Sequence, residues 1–159
     1  MATARTCRQC GAEVALTHLG RFEGEDSGVR VALEGLPCYH CVKGHKRFLT
    51  PDFPIRLVDT LLKSEGVFEA PAAVKKGLLR ARYHCPGCGA ELTRESGSHA
   101  GTQRSLDLQG SATFEVALQV ALYRCPGCGK DASHPTEEVE GAVMRAAANA
   151  FRAADIPPG

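Results

Sequence analysis

The sequence predicts a small α+β fold: two units of short antiparallel strands, one central helix and one C-terminal helix. Three observations predict it. The eight cysteines fall into four C-x-x-C pairs, Cys7/Cys10, Cys38/Cys41, Cys85/Cys88 and Cys125/Cys128, with none outside a pair. Apolar residues alternate with polar ones ahead of the second and fourth pairs, as in half-buried strands. After those same pairs the apolar spacing changes to that of amphipathic helices.

The chain of 159 residues suits one ordinary domain or two small ones. Its 43% hydrophobic and 23% charged content is that of a soluble folded protein. No apolar run approaches the roughly 20 residues needed to cross a bilayer, so no membrane partner is expected. Met1-Ala2-Thr3-Ala4-Arg5 has no apolar stretch behind it, so no secretory signal and a cytoplasmic location are expected. In a reducing compartment, regularly spaced cysteines point to metal before disulfide.

Two thiolates held two residues apart bind one face of a tetrahedral ion, and two such pairs complete a four-thiolate zinc site. The first two pairs are separated by 27 residues and the last two by 36, lengths that accommodate a β-hairpin. Gly11, Gly89 and Gly129 each follow the second cysteine of a pair, where a positive φ lets backbone N–H groups face sulfur. The pair Cys38/Cys41 lacks that glycine, although Gly44 follows soon after. Two zinc ions are therefore expected, held by Cys7, Cys10, Cys38 and Cys41 and by Cys85, Cys88, Cys125 and Cys128. His40 and His45 flank the second pair; as loop residues they need no metal, and as ligands either could replace a cysteine. A redox C-x-x-C normally occurs once within a βαβ pattern, which is not found here. Thiolates also hold iron, so iron–sulfur or redox-switching chemistry is the competing reading.

The two halves read as a duplication, Cys10-Gly11-Ala12-Glu13-Val14 answering Cys88-Gly89-Ala90-Glu91-Leu92. In the first half, Val29-Arg30-Val31-Ala32-Leu33-Glu34 alternates and is expected to pair with a strand marked by Val14, Leu16 and His18. The turn is placed around Gly24-Glu25-Asp26-Ser27-Gly28. In the second half, Phe114, Val116, Leu118, Val120 and Leu122 mark the clearest strand. Residues 105–109 are its expected partner, turning at Gly110-Ser111, and the Gly- and Ser-rich residues 96–102 read as a loop. Leu79, Ala81 and Tyr83 alternate into Cys85.

Asp52 and Pro54 open a helix whose apolar stripe is Pro54, Leu57, Val58, Leu61 and Leu62, with Gly66 as its stop. Residues 68–77 read as a linker. Pro135 and Thr136 precede a second helix with an apolar face of Val139, Val143, Ala147, Ala150, Phe151 and Ala154, and Glu137, Glu138 and Glu140 suit its N-terminus. Packing on the chain's own sheet is the simple use of this face; a homodimer through it is the alternative. The tail from Ile156 is expected to be disordered. The expected units are 1–50, a first zinc ribbon; 51–77, helix and linker; 78–131, a second zinc ribbon; and 132–159, helix and tail.

The formal net charge of +1 falls to −3 when each of two sites holds Zn²⁺ with four thiolates, which weakens a general nucleic-acid role. Basic residues cluster at Lys43, Lys46 and Arg47, beside the first site, and at Lys75, Lys76, Arg80 and Arg82, before the second. These are the residues for phosphate contact, although such runs are commonly solvated faces. With no Trp and three Tyr, base-stacking platforms are scarce. There is no G-x-S-x-G elbow, Walker loop, Rossmann fingerprint or H-E-x-x-H helix. An all-cysteine zinc site is closed, unlike a hydrolytic one, so no enzyme is expected.

Cys7-x-x-Cys10-Gly11, the Val29/Val31 strand, Gly35-Leu36-Pro37 and Cys38-x-x-Cys41 resemble the YgiT-type zinc finger, the family of the zinc-binding N-terminal domains of MqsA-like bacterial antitoxins. The resemblance covers residues 5–50 and implies a structural ribbon with Cys7, Cys10, Cys38 and Cys41 as ligands, contacting a partner protein. The second half reads as another ribbon where those antitoxins carry a helix-turn-helix, so DNA reading is not implied. The expected function is a non-catalytic zinc protein acting as a protein-interaction adaptor. The alternatives are a nucleic-acid-binding regulator and a thiol-based redox or zinc sensor.

Overall fold

The computed structural model describes residues 6–64, 70–92, 95–107 and 113–157. The chain is a small α+β protein with short antiparallel sheets and two helices, the class its sequence predicts. In order, the elements are β1 (Val14–His18), β2 (Phe22–Asp26), β3 (Val29–Glu34), β4 (Pro37–Cys41), β5 (Lys46–Phe48) and α1 (Phe53–Leu62). Then follow β6 (Val74–Lys76), β7 (Arg82–His84), β8 (Glu91–Leu92), β9 (Glu95–Leu106), β10 (Phe114–Arg124), β11 (Asp131–Ala132) and α2 (Thr136–Ala153).

The two halves share one sheet. β3 pairs antiparallel with β10 from Val29↔Val120 to Glu34↔Glu115. β2 lies beyond β3, β9 pairs along the other edge of β10, and β11 joins its C-terminal end. The expected partner of β3 was the Val14/Leu16/His18 strand; that strand, β1, instead pairs with β4, and β4 with β5. The hairpin into β3 comes from β2 and turns on Ser27 and Gly28, both at positive φ. Such a turn matches the natural twist of paired strands. A third small sheet, β6-β7-β8, carries the Cys85 end.

Alternation explains why the shared sheet forms. Val29, Val31 and Leu33 lie opposite Val120, Leu118 and Val116, and all six are buried on one face. Neither apolar row covers itself, and α2 and α1 close over them. α2 places Val139, Ala142, Val143, Ala146, Ala147, Ala150 and Phe151 in the core, so the face offered above for dimerisation is buried within the chain. α1 contributes Phe53, Leu57 and Leu61. Pro54 lies in its first turn as expected, but Asp52 makes no side-chain cap. Five of the six phenylalanines gather here: Phe53 stands 5.2 Å from Phe48, 5.6 Å from Phe114 and 6.1 Å from Phe151, and Phe22 lies 6.5 Å from Phe151.

Three other expectations are corrected. Residues 96–102 are part of strand β9, because the free edge of β10 supplies a ladder that satisfies a polar, Gly-containing backbone. Within the expected linker, Val74–Lys76 pairs with β7, and Ala72 bridges to Ser133. Ile156 is buried in the core, its N–H donating to the Phe151 carbonyl at 3.0 Å, so the tail is ordered through that residue. The turn at Gly110-Ser111 and the stop at Gly66 lie outside the described residues.

Candidate metal centres

Three of the cysteine pairs share one backbone design. The amide of the first cysteine donates to the carbonyl five residues on, as in Cys7 to Ala12 at 2.7 Å, Cys85 to Ala90 at 2.8 Å and Cys125 to Lys130 at 2.9 Å. The glycine after the pair donates back to the first cysteine's carbonyl at 2.8–2.9 Å, and Gly11, Gly89 and Gly129 hold φ of 73°, 77° and 73°. This knuckle turns amides toward sulfur: those of Gly127 and Cys128 donate to Cys125 Sγ at 3.3 and 3.5 Å.

The Cys38/Cys41 pair is different. It lies in strand β4, where residues three apart face opposite sides of the sheet, so both sulfurs cannot reach one ion. A knuckle starts instead at Cys41, whose amide donates to the His45 carbonyl at 3.0 Å while Gly44, at φ 92°, donates to the Cys41 carbonyl at 3.0 Å. The fourth donor is therefore His45, and the expectation of Cys38 as a ligand is corrected. Cys38 is fully buried, and burial pushes its thiol up to about 11 against the pull of Lys46. It is a small apolar core residue. The glycine missing after Cys41, with Gly44-His45 following, is the sequence signal that marks the shift. His40 is not in the cluster.

Two groups of four donors result, Cys7, Cys10, Cys41 and His45, and Cys85, Cys88, Cys125 and Cys128, each with its atoms within 4.8 Å of one another. His45 Nδ1 stands 3.4 Å from Cys7 Sγ and 3.5 Å from Cys41 Sγ, and Cys10 Sγ is 3.8 Å from Cys41 Sγ. In the second group Cys85 and Cys128 are 3.7 Å apart, and Cys88 and Cys125 3.3 Å. A tetrahedral ion with bonds of about 2.3 Å to sulfur and about 2.0 Å to nitrogen separates its sulfurs by about 3.8 Å and sulfur from nitrogen by about 3.5 Å. None of the eight cysteines is in a disulfide. Both groups can hold a metal ion.

The thiols are electrostatically prepared for one. Burial pushes Cys7 up, but the amides of Gln9 and Cys10 and the neighbouring thiols outweigh it and hold it at about 6. The Cys88 and Gly87 amides, against burial, hold Cys85 at about 6. Cys88 goes the other way: the Ala90 backbone lowers it, but the bond with Cys125 and burial raise it to about 11. Each group thus contains a thiol biased toward its thiolate, the form a divalent cation binds.

Beside the second centre, Tyr83 and Tyr123 stack at 5.8 Å, and His134 lies 4.6 Å from Tyr123 with its Nδ1 3.3 Å from the Tyr123 hydroxyl. The basic residues separate into two kinds. Lys75 binds Glu138 at 2.8 Å and Arg82 binds Glu91 at 3.4 Å. Lys43, Lys46, Arg47, Lys76 and Arg80 have no carboxylate partner among the described residues, although Arg47 lies 5.1 Å over the Tyr39 ring. No helix among the described residues is long and apolar enough to cross a membrane. No protein-family model, curated protein or solved structure matches the chain.

Proposed function

We propose that the chain is a non-catalytic protein-interaction adaptor whose two centres hold structural Zn²⁺. The observation that carries this is closure: each centre has four protein donors, one atom from each residue, all within 4.8 Å of one another, close enough to surround a single ion. Catalytic zinc keeps a position open for water or substrate, and soft thiolates with one imidazole suit zinc over calcium or magnesium. A Cys₃His site adds −1 and a Cys₄ site −2 relative to neutral thiols, so the zinc-loaded chain carries a formal −2. That balance favours a protein partner over nonspecific nucleic acid.

The test has two parts. Elemental analysis of the purified chain is expected to give two zinc ions per molecule; iron would replace the structural reading with a redox one. Affinity purification of the tagged chain from its host, with and without nuclease, is expected to retain one stoichiometric protein. Partners lost with nuclease would move the function to nucleic acid.

A further inference from the structure

The β6–β7 hairpin is anchored to α2 through Lys75 and Tyr83, but its turn, residues 77–80, is exposed throughout. All three residues of β6 are exposed, and the turn joining it to β7 places Leu78 and Leu79 side by side at relative exposures of 104% and 100%. Val74, on β6, is 43% exposed. Single exposed leucines are ordinary, but two consecutive, fully exposed ones at a hairpin tip are not. The turn is specifically built: Gly77 holds φ 107°, and a Cβ there would run into the Arg80 carbonyl.

Charge is organised around the tip. No Asp or Glu occurs from Ala70 to Ala90, a segment that carries Lys75, Lys76, Arg80 and Arg82. Glu138 takes up Lys75 in the middle of β6, and Glu91 takes up Arg82, which lies opposite Lys76 where the turn begins. Lys76 and Arg80, flanking Gly77 and the leucines, keep their charge without a carboxylate partner among the described residues. A convex apolar tip collared by unpaired cations is the arrangement of an element that enters the acyl boundary of a bilayer while its cations meet anionic headgroups.

We propose that this hairpin docks the chain peripherally on an anionic lipid surface, inserting Leu78 and Leu79. Area decides between lipid and a protein groove. A stable protein interface takes roughly 800 Å² from each partner, far beyond what a turn with two leucines and a half-exposed valine can offer. A bilayer needs only the tip. The expectation of no membrane partner rested on the lack of a spanning segment, which does not bear on peripheral docking.

The chain has no tryptophan, so Leu79→Trp in the full metal-loaded protein is a unique reporter at the tip. With phosphatidylcholine vesicles containing one part in three phosphatidylserine, its emission is expected to shift to the blue and to be quenched by shallowly brominated lipid. Co-sedimentation of the wild type with these vesicles is expected to exceed that with pure phosphatidylcholine by about tenfold. Leu78→Ser with Leu79→Ser is expected to lower it about tenfold. Lys76→Glu with Arg80→Glu is expected to remove the preference for anionic vesicles. Unchanged emission with vesicles would overturn the proposal. So would vesicle binding by the double serine variant equal to wild type, or an emission response to duplex DNA and not to lipid.

Discussion

His45 Nδ1 lies 3.4 Å from Cys7 Sγ, two corners of one tetrahedron, although they stand 38 positions apart in sequence. Cys38, three residues before Cys41 in the same strand, is excluded by the pleat. His45→Ala is therefore expected to leave one metal ion per chain, held by the second centre. Cys38→Ala is expected to keep both and to lose only about 1 kcal/mol of stability, from a small packing defect. Metal content by elemental analysis separates these outcomes. Loss of one ion in the Cys38 variant would return that residue to the ligand set.

Cys85→Ser removes one donor from the second centre. A structural zinc site supplies folding free energy on the order of 10 kcal/mol, so the local effect is large. It should nevertheless stay local, because β10 is also held by its pairing with β3 and by the core beneath Val116 and Leu118. Amides of 82–92 and 123–132 are expected to exchange hydrogen at least about tenfold faster, while those of Val29–Leu33 and Val116–Val120 stay protected. Equal acceleration in both sets would mean that the shared sheet depends on the metal.

Much of the fold is legible along the chain because its signals are local. The alternation through Phe114–Leu122 gives β10, and the helical spacing of Val139, Val143, Ala147 and Phe151 gives α2. Three of the four knuckles are fixed by cysteine, cysteine and glycine at set offsets. What stays hidden is partnership. Nothing near Val29–Glu34 says that its neighbour is Glu115–Val120, since two rows of alternating apolar residues pair equally well on paper with any similar row. β9 is hidden for a related reason: Gly97, Ala100 and Gly101 have weak strand propensity, and only the edge of β10 makes them part of a strand. The Cys38/Cys41 spacing copies a knuckle, yet the strand through it overrides the motif.

Lys75, Glu138 and Tyr83 tie the third sheet to α2. The Lys75 ammonium and the Tyr83 hydroxyl both donate to Glu138, at 2.8 and 2.9 Å. The bond to Glu138 raises Lys75 above its ordinary value, and burial followed by the same carboxylate raises Tyr83. A group raised on folding contributes stability that is complete below its unfolded value and lost as pH climbs through the folded one. The wild type is therefore expected to melt above Lys75→Met at about pH 8, and the gap to close as pH rises past the ordinary lysine value of about 10.5. Metal–thiolate bonding persists in that alkaline range, so thermal unfolding reads the cluster. A gap independent of pH would assign the effect to packing of the lysine stem.

Gly24, in β2, sits under α2 with no room for a side chain: a Cβ there would strike the backbone at Ala146, Asn149 and Ala150. The close approach is shared by both elements. α2 presents Ala142, Ala146 and Ala150 to the sheet, and the contact is flanked by Arg145 on Asp26 at 3.0 Å and by Asn149 donating to the Glu25 carbonyl at 2.9 Å. In most strand positions glycine is a weakness, and replacing it with alanine helps by roughly 0.5–1 kcal/mol. Here the sign reverses, because neither a strand backbone nor a helix backbone can yield without moving the Arg145 and Asn149 contacts. Gly24→Ala is expected to destabilise by about 3 kcal/mol, the upper end of overpacking. Gly20→Ala, whose added Cβ meets no atom within 4 Å, is expected to change stability by less than about 0.5 kcal/mol. Equilibrium unfolding of the two variants in urea reads both numbers. A Gly24 variant as stable as the Gly20 variant would mean that α2 can lift from β2 without cost.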